Sequence, residues 1–185
     1  MTQIDFVVPP RSKENIYAVA SGVRNIFKYD GTKVPMGMVY EVLPHLGNFF
    51  PKKTFPFLHG IRFEVCHQHE MGDDHGQTIP ELKLIRLRED VYDGMCQGNG
   101  RDRFTGAHEL GHLFLHRTAG FSRVAPNSNT KLYCKSEWQA NTFASAFLID
   151  EALLPQFRSA EEVQDAFGVS KSAAEARIKA CSQKK

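Results

Sequence analysis

His108 and His112 stand four residues apart in a stretch that reads as helix, with Glu109 beside the first of them. A four-residue step along an α-helix turns about 40° and rises about 6 Å, so two imidazoles at that spacing leave one face and can grip one ion. Imidazole nitrogen is a favoured zinc ligand, and a hydrolytic zinc site takes three protein ligands with a fourth position left open. Glu109 is placed to accept a proton from the attacking water and return it to the departing amine. The chemistry expected of this pattern on a helix is metal-assisted hydrolysis of a peptide bond.

A third ligand has to come from elsewhere in the chain. Leu115 and Thr118 occupy the positions where a Gly and a His would extend the motif to its three-histidine form, which excludes that class. His116 continues the series by one turn but sits about 80° round from His108, so a straight helix cannot aim all three rings at one ion. It is expected to be a packing or substrate-facing residue. Glu137 falls at the start of the next helical pattern, on the face of Ala140, Asn141 and Ala144, and is the chosen third ligand. Asn141, one turn on, is placed to orient a ligand imidazole through an outer hydrogen bond. Tyr133 and His116 could reach the oxyanion formed during attack, although packing is the expected role of each.

Two continuous stretches carry a resemblance. Arg103-Phe104-Thr105-Gly106-Ala107-His108-Glu109-Leu110-Gly111-His112-Leu113-Phe114-Leu115-His116, followed by Glu137-Trp138-Gln139-Ala140-Asn141-Thr142-Phe143-Ala144, is similar to the ImmA/IrrE metallopeptidases, and the likeness covers residues 61–154. What the resemblance implies is a compact gluzincin-like peptidase of bacteria, their mobile elements or phages. It implies one Zn2+ per chain with Glu137 as the third ligand. It also implies a protein substrate, a helix-turn-helix transcriptional repressor encoded beside the enzyme. The first sixty residues carry less of the likeness.

The elements that must position these residues follow from apolar spacing. Over 13–46, Ile16, Val19, Val23, Ile26 and Phe27 recur as on an amphipathic helix, and a second helix is expected over 35–46. Ile61, Phe63 and Val65 alternate with Arg62 and Glu64 as in a half-buried strand, and a second strand is expected over 82–87. Between them the run 67–76, with His67, His69, His75, Asp73 and Asp74, reads as a solvated hairpin-like connection rather than a second metal site. A Gly-rich stretch over 94–100 leads into the motif helix, expected over 101–116. A polar segment over 118–131 precedes the ligand helix, which Ser136 and Gln139 open in the spacing of a capping box. Ser159 and Glu162 repeat that spacing before two short helices over 159–167 and 170–181.

The fold class expected is α+β and zincin-like: an active-site helix and a ligand helix packed on a small, mainly antiparallel sheet. The chain has 185 residues, 42% hydrophobic and 24% charged with 14 Phe, which is globular composition in a length that suits one metallopeptidase domain over 1–185. Within it lie an N-terminal helical part (1–60), a catalytic core (61–154) and C-terminal helices (155–185). A net charge of +2 supplies no strong field for nucleic acid or an anionic membrane. No apolar run has the length to cross a bilayer, and the N-terminus lacks the pattern of a secretory leader. Cys66, Cys96, Cys134 and Cys181 form no C-x-x-C pair and read as reduced thiols, so a cytoplasmic setting is expected; Cys134 alone lies near enough to be weighed as a ligand. A rival reading takes the C-terminal helices as a DNA-binding helix-turn-helix, with Lys171, Arg177 and Lys179 toward phosphates, or as an antitoxin-like partner binder.

Overall fold

The computed structural model describes residues 5–116 and 125–182. The first half of the polar segment expected over 118–131, residues 118–124, lies outside the described residues. The fold is α+β and mostly helical, with one three-stranded sheet. Helix α1 (Lys13–Ile26) starts where Ser12 Oγ accepts from the Asn15 amide, and α2 (Met36–Val42) runs on into a 3-10 turn over Leu43–Asn48. Strand β1 (Arg62–Cys66) leads through a single helical turn, α3 (Gln68–Met71), to β2 (Gly76–Ile79), and β3 (Leu84–Arg88) follows. Helix α4 (Glu89–Cys96) was hidden from sequence reading by Gly94 and the glycines after it.

The sheet departs from expectation. The two strands read from alternation are neighbours, but they pair in parallel, Arg62 with Leu84 through Cys66 with Arg88. The chain reversal is taken up by β2, which pairs antiparallel with β3 on its other side, so the order is β1-β3-β2 and the sheet is mixed. Strand β2 lay unseen inside the supposed hairpin because Gly-Gln-Thr-Ile is short and half polar. Strand β3 is central, and Leu84, Ile85 and Leu87 are accordingly buried on both of its faces.

Helix α5 (Gly100–Leu115) lies against β2 and β3 of the sheet, whereas α6 (Ser136–Leu148), expected to pack on the sheet as well, has α5 and α1 as its main neighbours. Ala107, Leu110 and Phe114 on α5, and Ala140, Phe143, Ala144, Phe147 and Leu148 on α6, are buried in one core, with Phe143 between the rings of Phe114 and Phe147. Gly111 has a spatial reason: a Cβ there would meet Ala140 Cα at 3.0 Å and its carbonyl oxygen at 3.1 Å, so the two backbones touch only because one side chain is missing.

The C-terminal pair, α7 (Ala160–Phe167) and α8 (Lys171–Ser182), is tied to α5 by one buried guanidinium. Arg103 donates to the carbonyls of Gly168, Phe167 and Val34 at 2.8–3.0 Å. Two of the three cations weighed for phosphate contact are engaged within the protein. Arg177 is 2% exposed, donates to the Ile149 carbonyl and stacks over Tyr17, while Lys171 pairs with Glu161 at 2.6 Å.

Candidate metal centre

Helix α5 is fixed at both ends of the segment that matters. Asn99 caps it by accepting from the Arg101 and Asp102 amides, and the buried Tyr40 hydroxyl donates to the Gly106 carbonyl at 2.8 Å. Helix α6 is fixed differently from expectation. Ser136 is its first helical residue, not its cap, and Gln139 does not reach back to close a capping box. Asp5, from the other end of the chain, accepts from Ser136 Oγ at 3.0 Å and from the Glu137 amide at 3.1 Å. Ser136 Oγ in turn accepts from the Phe6 amide, and Val7 bridges to Lys135. An acidic group at the positive end of a helix is favourable, and this one comes from a segment that local pattern cannot connect to α6.

These constraints bring His108, His112 and Glu137 to one point. The two Nε2 atoms are 2.9 Å apart, and Glu137 stands 3.2 Å from His108 Nε2 through Oε2 and 3.1 Å from His112 Nε2 through Oε1. Donors around a tetrahedral ion with bonds near 2.0 Å are separated by about 3.3 Å, so the trio matches such a cage to a few tenths of an ångström. It is the one group among the described residues in which three ligating side chains converge this way. Cys134, in a 3-10 turn before α6, is not part of it.

The outer nitrogens are held as well. His108 Nδ1 is 2.9 Å from Asn141 Oδ1, the contact expected of Asn141. With the outer proton on Nδ1, the His108 lone pair points inward, toward the other two donors. Lone pairs and a carboxylate that close together need a cation between them, a proton or a metal ion, and two nitrogens with one oxygen suit a divalent metal. Burial by itself would raise the Glu137 pKa, but hydrogen bonds and charge from the two histidines outweigh it and bring the group down to about 2. Burial would lower His108, but Glu137, Glu109 and Asn141 together outweigh it and raise the group above its ordinary value. Both shifts describe an ionised carboxylate beside a His108 imidazole that favours positive charge.

Glu109 lies next to the trio and lines the same cleft. Thr78 Oγ1, on the outer strand β2, is 2.6 Å from Glu109 Oε2 and 3.0 Å from the Glu109 carbonyl, which holds the carboxylate to the sheet edge. Gly76 on the same strand makes room for it, since a Cβ there would come within 2.8 Å of Glu109 Cγ. Neither residue was foreseen, because nothing in a polar loop marks which hydroxyl will meet a carboxylate on a helix thirty residues later. The cleft has a volume of about 710 Å³ and is walled by α5, α6, the start of β2 and α8, with Trp138, Phe104 and Ala176 among its lining.

Neither His116 nor Tyr133 is among the residues that line the cleft. His116 does not face the cleft as an oxyanion donor: it is 4% exposed, its Nδ1 is 3.1 Å from His112 Nδ1 and its Nε2 is 3.2 Å from Gln139 Oε1. Burial first, and the neighbouring His112 second, lower its pKa to about 3, so the ring is neutral. Tyr133 is exposed, with the Lys131 ammonium 5.8 Å from its ring centre, and what it sends toward the site is its backbone carbonyl, which accepts from Gln139 Nε2. In the 67–76 run, His67 pairs with Glu89 at 2.8 Å and stacks on His69, at the surface.

The sequence family described as the IrrE N-terminal-like domain matches residues 59–179 of this chain. The protein named Metallopeptidase ImmA from Bacillus subtilis (strain 168) is 28% identical over 95 residues, which is 50% of this chain and 56% of that protein. The chain thus spans about half the length of the curated relative it matches.

Proposed function

This chain belongs to the IrrE N-terminal-like peptidase family, and from that membership we propose that it is a zinc-dependent endopeptidase of zincin-like fold that cuts one specific protein partner. The observation that carries the reading is the convergence of His108, His112 and Glu137 beside a carboxylate, Glu109, that is oriented toward the same cleft. His108, His112 and Glu137 are the residues that would hold the ion. A zinc ion bound there supplies Lewis acidity, polarising the scissile carbonyl and making water a nucleophile near neutral pH.

The chain's own residues do the rest. Glu109 takes the proton of the attacking water on its carboxylate and delivers it to the amine that leaves. Thr78 keeps that carboxylate from swinging away, and Gly76 leaves the space it occupies. A cleft walled by helices on two sides and the outer strand β2 suits an extended stretch of polypeptide rather than a small molecule. The partner class we favour is a helix-turn-helix transcriptional repressor encoded beside this protein, because the motif pair resembles peptidases that act on such regulators. The DNA-binding alternative loses support from Arg177, whose guanidinium is buried, and from Lys171, which pairs with Glu161 at the surface.

The test is to incubate the zinc-loaded chain and its Glu109→Gln variant with the neighbouring repressor and to map the fragments by mass spectrometry. Cleavage at one site by the wild type, absent with the variant, is expected. A repressor left intact by zinc-loaded protein removes the substrate assignment, and equal cleavage by both proteins removes the mechanism.

A further inference from the structure

We propose that Gln139 and His116 form a relay that fixes the tautomer of His112, holding its proton on Nδ1 so that the Nε2 lone pair faces the metal position. The inference deepens the zinc-peptidase reading and rests on it for its functional meaning.

The argument starts at Gln139, which is fully buried. Its amide nitrogen lies 2.8 Å from the Pro9 carbonyl and 2.8 Å from the Tyr133 carbonyl. Carbonyl oxygens only accept, so the side-chain NH2 must be the atom between them, and Oε1 must be the atom that faces His116. An amide oxygen also only accepts. His116 Nε2, 3.2 Å from it, therefore carries a hydrogen. A neutral imidazole has one donor and one acceptor, so Nδ1 of the same ring carries the lone pair. That atom is 3.1 Å from His112 Nδ1, and two facing lone pairs would repel. The hydrogen between the rings belongs to His112 Nδ1. The remaining nitrogen of His112, Nε2 beside Glu137, is thereby the one left to face the metal position.

Each link is forced by the one before it, and the first link is set by two backbone carbonyls from separate parts of the chain. Pro9 belongs to the N-terminal segment that also caps α6, and Tyr133 to the turn before α6. An imidazole free in water divides its proton between the two nitrogens, and the form protonated on Nε2 cannot bind a metal there. Outer hydrogen bonds that hold a ligand histidine in one form are worth about 10–100-fold in metal affinity. His108 receives the same service from Asn141 alone, at the exposed rim of the cleft. His112 receives it from two residues sealed in the core.

The experiment reads the protons directly. In metal-free protein with 15N-labelled histidine, multiple-bond 15N–1H correlation spectra distinguish the two tautomers of each ring. His112 is expected to carry a proton on Nδ1 and His116 to carry one on Nε2 alone; His112 found without a proton on Nδ1, or His116 found as a cation at neutral pH, overturns the relay. Zinc affinity, measured by chelator competition, then compares two variants. His116→Phe fills the space without accepting and should weaken zinc binding by about 10–100-fold, whereas His116→Gln can accept from His112 and donate to Gln139 and should recover most of it. Equal affinity for wild type and His116→Phe, or a loss with His116→Gln as large as with His116→Phe, overturns the proposal. If His116→Phe fails to fold, the wild-type spectrum decides by itself. If the wild type shows the expected tautomers but never takes up zinc, the relay stands and the zinc reading falls.

Discussion

The protein has two histidine-rich regions, and among the described residues only one of them brings three ligating side chains to a common point. His67, His69 and His75 lie around the β1–β2 connection, two of them stacked at the surface with Glu89 as a partner. His108, His112 and His116 lie along α5, each ring nitrogen meeting a specific atom from the same helix or from α6. Both regions are rich in potential ligands. The difference is the backbone that carries them. A helix repeats direction every turn and is rigid, so side chains four apart converge at no entropic cost beyond folding; a short surface connection has no such period, and bringing three of its side chains to one ion would require ordering them one by one.

That contrast breaks most readily at the ligands. His112→Ala and Glu137→Ala should each abolish stoichiometric zinc uptake, read by elemental analysis of protein purified in zinc, because two donors cannot enclose the ion. A variant that still binds one zinc per chain would transfer the site elsewhere. Next in size is Glu109→Gln, which should keep its zinc and lose about a hundredfold or more in the rate of partner cleavage, the usual weight of a general base. Zinc lost along with activity would mean that Glu109 is a ligand and not a base.

The packing of α5 on α6 gives a smaller effect. Gly111→Ala inserts a methyl group 3.0 Å from the Ala140 backbone, which cannot give way like a flexible side chain. Overpacking of this kind costs about 1–3 kcal/mol, and since it pushes Glu137 away from the histidines it should weaken zinc binding as well. Thermal unfolding and chelator competition measure the two. An unchanged melt would show that the helices have slack between them.

The dependence on pH separates metal-free from zinc-loaded protein. His108 lies above its ordinary pKa of 6.5, because Glu137, Glu109 and Asn141 together outweigh the opposing effect of burial, so its contribution is complete below pH 6.5 and is lost as the pH rises through the raised value. His116 is lowered by burial to about 3, so below pH 6.5 the unfolded chain takes up a proton that the folded chain refuses, and stability falls with the pH. Glu137, brought from 4.5 to about 2, contributes fully above pH 4.5 and loses that contribution below it. From these three groups, the metal-free melting temperature should peak near pH 6.5. The increment added by zinc should instead grow with rising pH, since protons compete for the same nitrogens. A zinc increment independent of pH would exclude imidazole ligands.

The smallest effect is expected in the other histidine region. His67→Ala and His69→Ala should change stability by no more than about 0.5 kcal/mol, the usual range for surface substitutions, and should leave zinc content at the wild-type value. A measurable loss of zinc in either would erase the distinction drawn between the two regions.

The sequence alone determined the helical face of α5, because the spacing of His108, Glu109 and His112 is converted into geometry by a helix of fixed pitch. It determined the core face of α6, because Ala140, Phe143, Ala144, Phe147 and Leu148 recur at helical intervals, and it placed Glu137 and Asn141 on the neighbouring part of that helix. Membership of the family was legible in the same two stretches. What only the tertiary structure decided are the relations that no local period encodes. Asp5 caps a helix that begins more than a hundred residues later; β2 enters the sheet on far fewer apolar residues than its neighbours, and turns an expected antiparallel pair into a parallel one. Thr78 meets Glu109, and Gln139, whose spacing from Ser136 suggests a local cap, is drawn instead into the core by two carbonyls and a histidine. Propensity and periodicity report what a residue does along its own element, whereas a hydrogen bond between distant elements is chosen by which buried polar groups would otherwise lack a partner, and that is settled only when the chain has closed around them.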